Sequence, residues 1–169
     1  MFLPPKLSIN RNNGPVIEKL SQGGNTREFD FALPKMSDRS LDISFSGFKT
    51  AALRCIRKNK LQKKSPQLKD FLASFEHSVV KALISNLEKA ASEHFPESLI
   101  LCGGVARNKR VRKQFAELAE EKGMDSFIPS PEFCTDNAAM VAALAWEKHN
   151  RGEKGELNLG LNAHARTPH

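Results

Sequence analysis

The sequence is poor in several features that would mark particular classes of protein. It has three cysteines, Cys55, Cys102 and Cys134, widely spaced and with no C-x-x-C pair. An odd, scattered set excludes a disulfide framework and a cysteine zinc site, and it suits a reducing, cytoplasmic compartment. No apolar run approaches the ~20 residues needed to cross a bilayer. Residues 1–10 carry Pro4 and Pro5 but no apolar core of a secretory signal. The five histidines form no H-x-x-x-H pair. There is also no H-E-x-x-H and no G-x-S-x-G, which removes the usual zinc-protease and serine-hydrolase readings. Repeats and low-complexity tracts are absent.

What is present is enough for one folded domain. The chain has 169 residues, 40% of them hydrophobic, a length that leaves no room for two domains of ordinary size. The net charge of +7 is uneven. Residues 1–65 hold 13 Lys and Arg against 5 Asp and Glu, whereas the remainder is close to balanced. No acid occurs between Ile43 and Leu68, where Lys49, Arg54, Arg57, Lys58, Lys60, Lys63 and Lys64 cluster. Such a block suits a polyanion such as RNA, and equally a solvated helix end.

Punctuation divides the chain into short elements. Residues 1–13 have no period and read as an irregular segment. Gly14-Pro15 opens a helix that Gly23-Gly24 closes. Leu41 to Phe45 alternates apolar and polar and predicts a short strand or an extended entry, followed by a helix over Phe48 to Lys58. Ser65-Pro66 starts the longest helix, which runs to about Phe95 with apolar positions at a period near 3.6 and a stop at Pro96. Ser98 to Cys102 is the best buried-strand candidate. A helix over Arg107 to Lys122 follows, then a strand over Asp125 to Ile128. A last, Ala-rich helix runs through His149, capped by Thr135 or Asp136. Residues 14–150 form the domain, and 151–169 read as a tail. Strands alternating with helices argue α/β, but three short strands are few for a complete sheet.

Two places concentrate chemistry. Gly103-Gly104 lies between a strand and a helix, where glycines admit a ligand close to the backbone and the helix start offers N–H groups and a positive dipole end. Asn108 can donate and accept there, and basic residues flank it. The same glycines would serve a tight turn with no ligand at all. Farther on, Cys134-Thr135-Asp136-Asn137 puts a carboxylate at a helix start, either as a simple N-cap or aimed into the same cleft to hold a cation. Ser46, beside Gly47, has no histidine as its base and reads as a capping residue.

Four segments in order carry a resemblance. They are Asn13-Gly14-Pro15-Val16-Ile17-Glu18-Lys19-Leu20, Asp42 to Thr50 (DISFSGFKT), Cys102 to Asn108 (CGGVARN) and Glu132 to Asn137 (EFCTDN). Together they resemble the TsaD/Gcp family, which makes threonylcarbamoyladenosine in tRNA and was once called O-sialoglycoprotein endopeptidase. The resemblance implies one helix-rich lobe, with few strands, of an actin/hexokinase-like (ASKHA) fold. It implies transfer of threonylcarbamoyl from an adenylate to adenosine 37 of tRNA. Gly14, Glu18, Gly103, Gly104 and Asn108 would bind the adenylate, and Asp136 would be a ligand to iron or zinc. No catalytic group is assigned. The family's H-x-x-x-H and its S-G-G loop are not found in this chain, so the resemblance is to the C-terminal lobe. On that basis the expectation is a threonylcarbamoyltransferase subunit or fragment, inactive alone and not retaining the metal. Its expected partners are tRNA, TsaB-like and TsaE-like proteins and a separately supplied N-terminal lobe, with no membrane. The alternative is a non-catalytic remnant that binds tRNA or a TsaB-like partner.

Overall fold

The computed structural model describes residues 14–31, 41, 43, 45–62 and 64–153. The irregular segment at 1–13 and nearly all of the tail at 151–169 therefore lie outside the described residues, as does Lys63.

The described chain is α/β and helix-rich, as its pattern predicts. Its order is α1 (Gly14–Ser21), α2 (Phe45–Lys58), α3 (Leu68–His94), β1 (Ser98–Ile100), α4 (Lys109–Glu121), β2 (Asp125–Phe127) and α5 (Ala138–Asn150). One-turn 3-10 helices at Gly104–Arg107 and Pro131–Phe133 precede α4 and α5. The strands β1 and β2 pair in parallel with Ser98 opposite Asp125, and α4 connects them. α4 lies on the sheet through Phe115 and Ala119, which join Leu99 in one buried cluster. The long helix α3 is the spine. It carries α1 near its first half and α4 along its length, and Ile84 and Leu87 extend the cluster under β1.

A second core is aromatic. Phe71 stands edge-on to Phe29 and Phe31, with ring centres 5.7 and 5.5 Å apart. Phe75 meets Phe31 and Phe48 at 5.5 and 6.4 Å. Edge-to-face pairs at these separations add to the burial of large apolar side chains. They fasten the segment after α1, and the start of α2, to the first two turns of α3.

The structure departs from the sequence pattern in several places. No strand covers Leu41 and Ile43. The Phe45 N–H instead bonds the Ile43 carbonyl at 3.1 Å and α2 begins at Phe45, because an isolated alternating pentapeptide has no neighbour to pair with. β1 ends at Ile100 rather than Cys102, where its short partner ends. α4 begins at Lys109, since the Asn108 side chain caps it by accepting from the Val111 N–H at 3.0 Å. The cap of α5 is Asn137, which accepts from the Met140 N–H at 3.0 Å, and not Thr135 or Asp136. Ile100, a residue of the expected buried strand, is 70% exposed, because two strands leave one face of the sheet without a cover. Every residue of α5 is exposed, including Met140, Val141, Leu144 and Trp146.

These two situations separate in a stability measurement. Phe71→Ala removes a ring that is 3% exposed and should cost about 3–5 kcal/mol in urea unfolding. Trp146→Ala on α5, 65% exposed, should change it by less than about 0.5 kcal/mol.

Candidate nucleotide-facing cleft

A cleft of about 700 Å³ opens where α1, α3 and the start of α4 meet. Gly14 and Glu18 of α1, Glu76 of α3, Gly104 and Asn108 from the turn before α4, and Thr135 line it. Residues 90 positions apart in sequence thus face one space. Gly103 is not in the lining. Its φ of +84° closes the turn after β1, a conformation that only glycine adopts freely. A Cβ built on Gly104 or on Gly14 meets nothing within 4 Å, so close packing does not demand a glycine at either position.

The N-terminus of α4 is satisfied largely from within the protein. Glu18 Oε1 accepts the Lys109 N–H at 3.1 Å, and Asn108 takes the Val111 N–H on its side chain and the Arg112 N–H on its carbonyl. The expected row of free N–H groups is therefore mostly occupied. The carboxylate of Glu18 sits at the positive end of the helix, where a negative charge is favoured. It ties α1 to α4 across the mouth of the cleft.

Sequence patterning passed over Glu76. It lies between Ala73 and Val80 on the buried side of α3 and is 9% exposed. Its Oε1 accepts from Asn108 Nδ2 at 2.7 Å, and its Oε2 is 2.9 Å from the Ser21 hydroxyl and 3.6 Å from Arg110 Nε. A buried carboxylate needs such partners. The signal was available: a lone acid on the apolar face of a long helix has to be answered by something.

A second unread residue is Arg112. Its Nη1 donates to the carbonyls of Ala106 at 3.0 Å and Pro129 at 2.9 Å. It therefore binds the glycine turn to the loop that leads into Thr135 and Asp136. The buried Cys134 thiol, 3.5 Å from the Ser130 carbonyl, fills the space beneath that loop. Asp136 itself is exposed and outside the cleft lining. Among the described residues no group of three or more His, Cys, Asp or Glu stands together to hold a metal. A structural or catalytic transition-metal site needs three or four protein ligands, so the residues present do not fit a complete one.

Residues 5–143 match the family model described as TsaD, tRNA N6-adenosine threonylcarbamoyltransferase. The chain belongs to that family. Proteins named tRNA N6-adenosine threonylcarbamoyltransferase are similar to it over most of its length. The one from Thermosipho africanus is 37% identical over 90% of this chain, and that from Carboxydothermus hydrogenoformans 40% over 86%. The Syntrophus aciditrophicus protein is 36% identical over 96%. The chain spans less than half of these relatives' lengths, 46%, 42% and 47% respectively. No helix among the described residues is long and apolar enough to cross a membrane.

His77, next to Glu76 on α3, offers a pH test. Burial, then the charges of Arg110, Lys81 and Arg27, push its pKa below the ordinary 6.5. The unfolded chain therefore takes up this proton at a higher pH than the folded one. Stability should fall as pH drops from about 6.5 toward the folded value, and hold steady above it. In His77→Gln that part of the slope should vanish, as read by urea midpoints between pH 7.5 and 5.

Proposed function

We propose that this chain supplies one side of the active-site cleft of a tRNA N6-adenosine threonylcarbamoyltransferase, the side that holds the adenylate of the threonylcarbamoyl donor. The observation that carries the reading is convergence. Gly14 and Glu18, together with Gly104 and Asn108, share one cleft although the two pairs are far apart in sequence. Gly104 leaves room for the ligand to approach the backbone. Asn108 supplies hydrogen bonding, and Arg107, Lys109 and Arg110 supply attraction for an anion. The Glu18 carboxylate, with one oxygen on the Lys109 N–H, keeps a second oxygen for a hydroxyl donor.

Catalysis needs more than this. In the proposed enzyme Asp136 would be one ligand to an iron or zinc ion, which would supply Lewis-acid chemistry. The other ligands come from a second lobe. The apolar surface left open on α5 and on the sheet fits such a second lobe, since monomers rarely leave large apolar patches in water. TsaB-like and TsaE-like proteins are the further partners of this reading.

A second reading, a non-catalytic binder of tRNA, has its own observation. Lys49, Arg54, Arg57, Lys58, Lys60 and Lys64 are all exposed on α2 and just after it. Arg54, Arg57 and Lys58 fall at the three- and four-residue spacings that share a helix face. The basic face itself suits both readings, because a transferase acting on tRNA needs one too.

The cleft reading predicts that the chain alone binds AMP weakly, with a dissociation constant on the order of a millimolar, about 4 kcal/mol. Asn108→Ala should weaken the binding roughly tenfold and Gly104→Val should abolish the signal in ligand-observed NMR, while the fold survives. Micromolar binding, or binding unaffected by both substitutions, would overturn it. For the basic face, tRNA affinity should fall steeply with salt, and reversal of Lys60, Lys63 and Lys64 to Glu should weaken it further. An unchanged affinity in the triple variant would return those lysines to a solvated surface.

A further inference from the structure

We propose that Glu76 is a positioning residue of this cleft, fixing the orientation of the Asn108 amide so that its nitrogen keeps one N–H for the ligand; this rests on reading the cleft as a nucleotide site. An asparagine amide carries two hydrogens on nitrogen and an acceptor oxygen. In Asn108 the oxygen is committed to the Val111 N–H at 3.0 Å, and one hydrogen is committed to Glu76 Oε1 at 2.7 Å. The second hydrogen of Nδ2 is the one donor the side chain has left. Turning the amide over would set its oxygen against the carboxylate and its NH₂ against the Val111 N–H. Both bonds would be lost and replaced by repulsion, so the orientation is single-valued.

Glu76 can impose this because it is itself held. It is 9% exposed, with the Ser21 hydroxyl at 2.9 Å and Arg110 Nε at 3.6 Å on its other oxygen. The Ser21 hydroxyl is also 2.9 Å from the Glu18 carbonyl, so the network reaches the backbone of α1 at another lining residue. Hydrogen bonds to a charged acceptor in a partly dry site are the stronger kind. The chemical consequence is a fixed hydrogen-bond sense at the amide nitrogen: there the cleft presents a donor, which favours an acceptor atom of the nucleotide.

The test is a mutant cycle on the whole chain with AMP as the probe. Glu76→Gln keeps an acceptor oxygen for Asn108 and should bind AMP within about twofold of the parent. Glu76→Met keeps the volume and removes the acceptor, and should weaken binding roughly tenfold, the worth of one hydrogen bond. Combined with Asn108→Ala it should cause no further loss, because its effect passes through Asn108. Additive losses would overturn the proposal. So would wild-type binding by Asn108→Asp, which keeps the capping oxygen but has no hydrogen to offer.

A second readout does not depend on nucleotide. One Asn108 side-chain amide hydrogen should exchange slowly with solvent in the parent and in Glu76→Gln, and quickly in Glu76→Met. If AMP fails to bind the parent, the nucleotide reading fails, and this exchange pattern alone decides whether Glu76 orients Asn108. Absence of protection in the parent would overturn the proposal whatever AMP does.

Discussion

A nearly buried carboxylate on the central helix organises the part of this protein that matters. Glu76 joins Ser21 of α1, Asn108 before α4 and Arg110 within α4, so three helices meet at one charge. Burying a carboxylate is expensive unless its oxygens are answered. The requirement works in reverse as a specification. Any arrangement of α1 or α4 that fails to bring its polar groups to Glu76 leaves a charge unpaired, which costs several kcal/mol. The cleft is the space left in front of that junction.

Around it the chain uses two kinds of fastening. Aromatic rings hold the segment after α1 and the start of α2 against α3, through Phe29, Phe31, Phe48, Phe71 and Phe75. Backbone carbonyls and one guanidinium hold the loops, with Arg112 spanning from the glycine turn to the approach to Asp136. The first kind is apolar and tolerant of detail. The second is directional, and it places the two loops of the family motif relative to each other.

The same lobe leaves apolar groups in water. α5 is exposed along its whole length, and Ile100 and Phe127 stand on the open sheet. Two strands and one crossover helix cannot cover both faces of a parallel sheet, which is normally buried on each side. The unevenness of burial agrees with a chain that spans less than half of its relatives. Asp136, proposed above as a cation ligand, likewise stands exposed at the surface.

Much of this was legible in the sequence, because the signals were local. The 3.6-residue period of α3, the Gly-Gly after an apolar run and the Gly-Pro at α1 each depend on a few neighbouring residues, and the four ordered segments point to the family. What the sequence left open was decided by distant groups. One exception is local: the cap of α5, read as Thr135 or Asp136, falls to Asn137, whose extended backbone lets its side chain accept the Met140 N–H. Whether Leu41 to Phe45 forms a strand turns on having a partner strand, and none is paired with Leu41 or Ile43. Glu76 had no motif, and its partners come from positions 21, 108 and 110. Only the packing of α1 and α4 on α3 brings them within hydrogen-bonding distance of a charge that cannot be buried without them.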